Sequence, residues 1–191
     1  MLGKLLKRIR AGTRKLAIND ASFIDVSDSI VVTSSCFPRN GYIPEIYTQM
    51  GKNLSPAIEW NNMPFLTKSI VVFIEDADAP LPVPFLHSVA YNIMTKDAAN
   101  GGLQEGSIPS TPYVAGDPLQ HRLDIGRNMF GKTTYIGPAP IAGHGLHRYF
   151  FQVFALDGSL SFPQPPKRKD IIKSMAGHVL AKGCLVGVYE R

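Results

Sequence analysis

Apolar residues along this chain gather in short runs, separated by long polar stretches rich in Gly and Pro. Ser69 to Ile74 (SIVVFI) is β-branched and apolar throughout, the pattern of a strand. From Arg148 to Leu156, Tyr149, Phe150, Phe151, Val153, Phe154 and Leu156 leave only Gln152 polar in their midst. Such near-continuous apolarity predicts a strand buried on both faces. Ser29 to Thr33, Ala57 to Trp60, Val89 to Met94 (entered from His87) and Cys184 to Tyr189 read as further strands. Helical spacing appears at Asp170 to Lys182, where Ile171, Ile172, Met175, Val179 and Leu180 share a face and Gly183 supplies a stop. It also appears at residues 2 to 10, where Leu2, Leu5, Leu6 and Ile9 oppose Lys and Arg and Gly12 ends the run. Asp97 to Met129 shows few periodic features. Strands dominate, with no βαβ alternation and no internal repeat, so the predicted class is mainly β: an antiparallel β-sandwich with a few short peripheral helices.

Composition sharpens this picture. A chain of 191 residues with 45% apolar and 18% charged residues is a globular one with room for a substantial core. The formal charge of +5 is unevenly placed, because Lys4, Lys7, Arg8, Arg10, Arg14 and Lys15 stand in the first 15 residues without an acid among them. The rest is nearly neutral, which argues against a nucleic-acid partner. Residues 1–18 therefore read as a basic, helical N-terminal extension and 19–191 as a single domain. A basic amphipathic segment at residues 1–15 suits peripheral contact with an anionic membrane, or a mitochondrial presequence. Cys36 and Cys184 lie far apart, without CxxC or Cys/His spacing, so neither a zinc site nor a disulfide framework is expected. With no secretory or membrane-spanning run in the sequence, a reducing, cytoplasmic setting is the expectation.

The polar residues suited to chemistry sit at predicted strand ends. Asp76 and Asp78 follow the Ser69 strand, His87 precedes the Val89 strand, and His147 to Tyr149 open the last long strand. The loop before them, Gly137 to Gly145, is punctuated by Pro138, Pro140, Gly143 and Gly145, and is expected to be rigid. In a sandwich, strand ends collect on one rim, so these residues are placed to share a pocket. Histidines and a phenol can donate to the oxygens of an anion, with Asp76 accepting from a histidine to fix its orientation. Gly143 to Gly145 could add backbone N–H groups as a nest, with His144 on the surface or rim. Asp78 is suited either to capping its turn or to touching ligand. Arg148, next to Tyr149 on a strand, should face the other way and form a structural ion pair. His121 and His178 read as structural or solvated. No nucleophile elbow, HExxH motif or Cys beside a His marks a catalytic centre, so no catalytic residue, metal or cofactor is assigned. The alternative is a hydrolase using Asp76, His87 and His147 as acid–base groups or metal ligands.

Several segments carry a more specific resemblance: GKNLSPAIEW (Gly51 to Trp60), DADAP (Asp76 to Pro80), HSVAYNI (His87 to Ile93), GRNMFGKTTY (Gly126 to Tyr135), GPAPIAGHGLHRYFF (Gly137 to Phe151) and GHVLAKGCLVGVYER (Gly177 to Arg191). In this order the chain resembles the phosphatidylethanolamine-binding protein family, in its bacterial Raf-kinase-inhibitor-like form. The resemblance implies a β-sandwich with a small rim pocket for phosphate, a phosphoryl head group or a carboxylate, lined by Asp76, Pro80, His87, Pro140, His147 and Tyr149. It further implies a role as a kinase or serine protease inhibitor, a homodimer, and a cis Ala79–Pro80 peptide. The sequence departs from the family pattern in having Ala77 after the first Asp, Leu86 and Ser88 rather than an aromatic beside His87, and Ile141 in the proline loop.

Overall fold

A computed structural model describes residues 2–94, 101–111 and 123–191 of the chain. Among the described residues, eight strands run β1 (Val31–Thr33), β2 (Ile58–Asn61), β3 (Ser69–Asp76), β4 (Phe85–Met94), β5 (Gly102–Leu103), β6 (Asp124–Ile125), β7 (His147–Leu156) and β8 (Val179–Tyr189). The helices are α1 (Leu2–Leu6) and α2 (Arg168–Met175), with short 3-10 turns between elements. The strands form a three-stranded sheet, β1-β2-β5, and a five-stranded one, β6-β4-β3-β7-β8. Every pairing within them is antiparallel. The predicted mainly-β, antiparallel architecture is the one found.

The apolar run of β3 is explained by two cores, one on each face of the large sheet. Ile70, Val72 and Ile74 point into the first core, with Val32, Ile58 and Trp60 of the small sheet. Val71 and Phe73 point into the second, against Leu16, Phe23, Ile171 and Met175. β7 alternates in the same way, Tyr149, Phe151 and Val153 on the first face and Phe154 and Leu156 on the second.

Three expectations are corrected. The helix read at Asp170 to Lys182 ends at Met175. Gly177 takes a φ of 81°, and Val179, Leu180 and Lys182 instead belong to β8, which pairs along all of β7. The apolar spacing of 175–180 fits either element, and the long ladder decides it. The N-terminal helix covers Leu2–Leu6 only; Leu16, Ala17 and Ile18 are buried in the second core. The Ala79–Pro80 peptide is trans, like every described peptide bond. His121 lies outside the described residues.

The first residues lie along the 141–146 loop. A Cβ on Gly3 would stand 2.2 Å from the Ala142 carbonyl, so only glycine allows this approach. The backbone N–H groups of Ala11 and Gly12 donate to the carbonyls of Ala79 and Ala77. At the other end of the chain, the Arg191 carbonyl accepts from Gly143 of the same loop.

Candidate functional site

The site is built where the C-terminal end of β3 meets the N-terminal ends of β4 and β7. Antiparallel pairing sets Asp76 between Phe85 on one side and Tyr149 on the other. The β3–β4 register slips here, Ile74 pairing with Ser88 and Glu75 with Leu86, which makes His87 the extra residue of a bulge. Bulges re-aim side chains, and this one presents His87 to the cavity.

The cavity has a volume of about 360 Å³. Asp76, Pro80, His87, Pro140, His147 and Tyr149, the six candidate ligand-binding residues, all line it. Ile141 of the proline loop also lines it, as do Gln49, Leu81, Phe85 and Phe130, which escaped sequence reasoning. Phe85 is the aromatic neighbour that the immediate flanks of His87 lack, with ring centroids 4.8 Å apart, and Phe130 packs edge-on against it at 5.4 Å. The usable signal was the spacing, since Phe85 stands two residues before His87 on one strand.

Among the described residues, two buried polar atoms at this cavity have no hydrogen-bond partner: His87 Nε2 and Tyr149 Oη. The two rings meet edge to face at 5.2 Å, and their residues are 4% and 1% exposed. His87 Nδ1 faces the Ile136 carbonyl at 2.5 Å. A carbonyl can only accept, so Nδ1 carries a proton, and in the neutral ring Nε2 is left with a lone pair. Burial lowers the His87 pKa, only partly opposed by the Asp76 charge and the Ile136 hydrogen bond, and so favours the neutral ring. Burial likewise raises the Tyr149 pKa, assisted by Asp76, and keeps it a phenol that can donate.

His147 is held differently. Its Nδ1 shares a 2.7 Å hydrogen bond with Asp76 Oδ2, and its Nε2 shares one of 2.6 Å with His144 Nδ1. His144 Nε2–H in turn donates to the Leu6 carbonyl at 2.9 Å, with the Ile9 carbonyl at 3.2 Å. The other Asp76 oxygen accepts from the backbone N–H groups of Asp78 and Ala79, which fixes the turn after β3. Asp76 thus begins a chain of hydrogen bonds that ends on the backbone of the basic N-terminal arm.

Asp78, Gly143, His144 and Gly145 do not line the cavity. His144 is fully buried behind His147 rather than on the surface. The N–H groups of Gly143 and His144 are taken by the Arg191 and Ile141 carbonyls, which leaves no open nest for an anion. Asp78 is turned away, where its two oxygens meet Arg148 Nε and Nη2 at 2.7 and 2.8 Å and Arg10 Nη1 at 2.9 Å. Burial works against its charge, but the arginine hydrogen bonds prevail and hold the carboxyl at about 2. This is the structural ion pair expected for Arg148.

The sequence model of the phosphatidylethanolamine-binding protein family matches residues 33–190. The chain belongs to this family. A relative described as a UPF0098 protein from Aquifex aeolicus is 41% identical over 161 residues, 84% of this chain and 88% of that one. A second, from Pyrococcus horikoshii, is 38% identical, covering 83% of this chain and 75% of the relative. Among solved structures, the family homologue from Chlamydia trachomatis superposes with a TM-score of 0.71 at 28% identity, over 86% of this chain and 99% of its own. YbcL of E. coli, described as a member of the mammalian family, gives 0.72 at 26% identity, over 85% and 98%. Family membership makes this a member of a family of ligand-binding proteins. The basic arm precedes the matched residues. Among the described residues, no group of three or more His, Cys, Asp or Glu is placed to hold a metal ion, and no helix is long and apolar enough to cross a membrane.

Proposed function

We propose that this protein binds a small ligand through an acidic oxygen-bearing head group: a phosphate, phosphoryl or carboxyl group. The observation that carries the reading is the pair of unpartnered buried atoms, His87 Nε2 and Tyr149 Oη, at one cavity. Leaving such atoms unsatisfied costs roughly 1–3 kcal/mol each, which a ligand that bonds to both recovers. The cavity wall of Pro80, Leu81, Phe85, Phe130, Pro140 and Ile141 suits an apolar remainder on that ligand. Calorimetry against phosphate, phosphoethanolamine and nucleotides tests it. Binding of at least one, weakened on the order of tenfold in Tyr149→Phe, is the expected result. Silence from all of them with the fold intact defeats the reading.

A hydrolase is the second reading, favoured by the Asp76–His147 pair at 2.7 Å. We rank it lower because His147 Nε2, the nitrogen a general base would use, is occupied by His144. Phosphatase or esterase turnover lost in His147→Ala would reverse that ranking. Inhibition of a kinase or serine protease, implied by family resemblance, is tested by adding the protein to such enzymes with and without a cavity ligand. Contact with an anionic membrane is supported by Leu5 and Ile9, 81% and 51% exposed beside Lys4, Lys7 and Arg8. Vesicle co-sedimentation that survives removal of residues 1–12 rules that contact out.

A further inference from the structure

We propose that the cavity selects the protonated form of its oxyacid ligand, a hydrogen phosphate monoester or a carboxylic acid, over any fully ionised dianion. This rests on the head-group reading above and narrows its ligand class. Three observations lead there.

The first is the lone pair. The Ile136 carbonyl fixes a proton of His87 on Nδ1, and burial of the ring disfavours a second one, so Nε2 of the neutral ring accepts. A ligand oxygen set against Nε2 must therefore bring its own proton. Tyr149 O–H, the other unpartnered group, donates to a second, unprotonated oxygen of the same head group. A monoprotonated phosphate monoester offers one O–H and bare oxygens side by side, and so does a carboxylic acid. Sulfate at neutral pH offers only bare oxygens, and would set lone pair against lone pair at His87.

The second is the proton count of the neighbouring chain. Hydrogen bonds join Asp76 to His147, His147 to His144, and His144 to the Leu6 carbonyl. Filling all three takes three protons over one carboxyl and two imidazoles. However those protons are shared, the set carries no net charge.

The third is the lining. Among the described residues, its polar members are Gln49, Asp76, His87, His147 and Tyr149, with no Lys or Arg. Arg148 and Arg10 are paired with Asp78 instead. The titratable groups facing His87 are Asp76 at the end of β3 and His147 and Tyr149 on β7. None of these supplies uncompensated positive charge, so a second negative charge on the ligand has no counter-charge at the wall.

The test is calorimetric titration of the full chain with methyl phosphate, sodium sulfate and acetate, each at about pH 5.5 and about pH 8. These values bracket the second ionisation of a phosphate monoester, near pH 6. Methyl phosphate should bind at the lower pH and weaken on the order of tenfold or more at the higher, because a site with an unpaired buried acceptor rejects the form lacking the proton. Sulfate should be weaker than methyl phosphate by a similar factor at the lower pH. Sulfate binding as tightly as methyl phosphate there would mean that His87 donates; the selectivity claim then fails while the head-group reading stands. No heat from any probe, with the protein folded by its amide NMR spectrum, defeats the head-group reading itself and the selectivity with it. In His87→Gln, whose amide can donate, sulfate should come within a few-fold of methyl phosphate. Undiminished discrimination in that folded variant would remove His87 as its source.

Discussion

Glu75 and Asp76 are neighbours on one strand, point to opposite faces, and are both buried, yet their surroundings differ in kind. Glu75 is saturated: it accepts from Ala17 N–H at 2.8 Å, Gln152 Nε2 at 2.9 Å and Arg168 Nε at 2.6 Å. Gln152 and Lys182 complete that cluster by binding the backbone of Ile18 and Phe23. On the Asp76 face, the carboxylate is likewise satisfied, but His87 Nε2 and Tyr149 Oη are not. A buried polar cluster whose partners all come from the chain pins the chain. One that keeps unpartnered atoms at a cavity has bonding capacity left for something else.

The largest effect should come from breaking the saturated side. Glu75→Ala strands Arg168, Gln152 and the Ala17 N–H together, and should cost about 3–5 kcal/mol in urea denaturation. Any protein that remains folded should bind ligand as before. A result below about 1 kcal/mol would mean that the cluster does not pin residues 16–18.

Acid should act next, through Asp78. The folded carboxyl lies at about 2 against an ordinary 3.8, so its contribution is complete above pH 3.8 and is lost as pH falls toward 2. That linkage is worth at most about 2 kcal/mol. It should show as a steep fall in stability over this window that is absent from Asp78→Asn. An identical acid limb in the variant would assign the loss to other carboxyls.

The smallest stability effect, and the sharpest contrast, is expected for Tyr149→Phe. Removing an unpartnered buried hydroxyl should leave stability unchanged or raise it by up to about 1 kcal/mol, while ligand binding weakens. A clear destabilisation would show that the hydroxyl is already satisfied and would erase the distinction between the two faces.

Much of this was legible in the chain. The near-continuous apolarity of β3 and β7 announced two-sided burial, and the placement of Asp76, His87 and His147 at strand ends announced a shared rim. What could not be read is what depends on side-chain direction and long-range partners. Nothing local tells that His87 sits on a bulge, that His144 backs His147 rather than facing solvent, or that the arm's carbonyls close the hydrogen-bond chain. The helix at α2 was overextended because the apolar positions after Met175 suit either period, and β7, far away in sequence, settles the matter.

Gly3 and Arg191 both abut the 141–146 loop. A short bridge could therefore join these two positions, and the backbone could be opened afresh at the exposed turn Phe65–Leu66. Such a circular permutant would keep every strand while fixing both anchors of the arm, offering a way to hold the cavity's back wall still while ligands are compared.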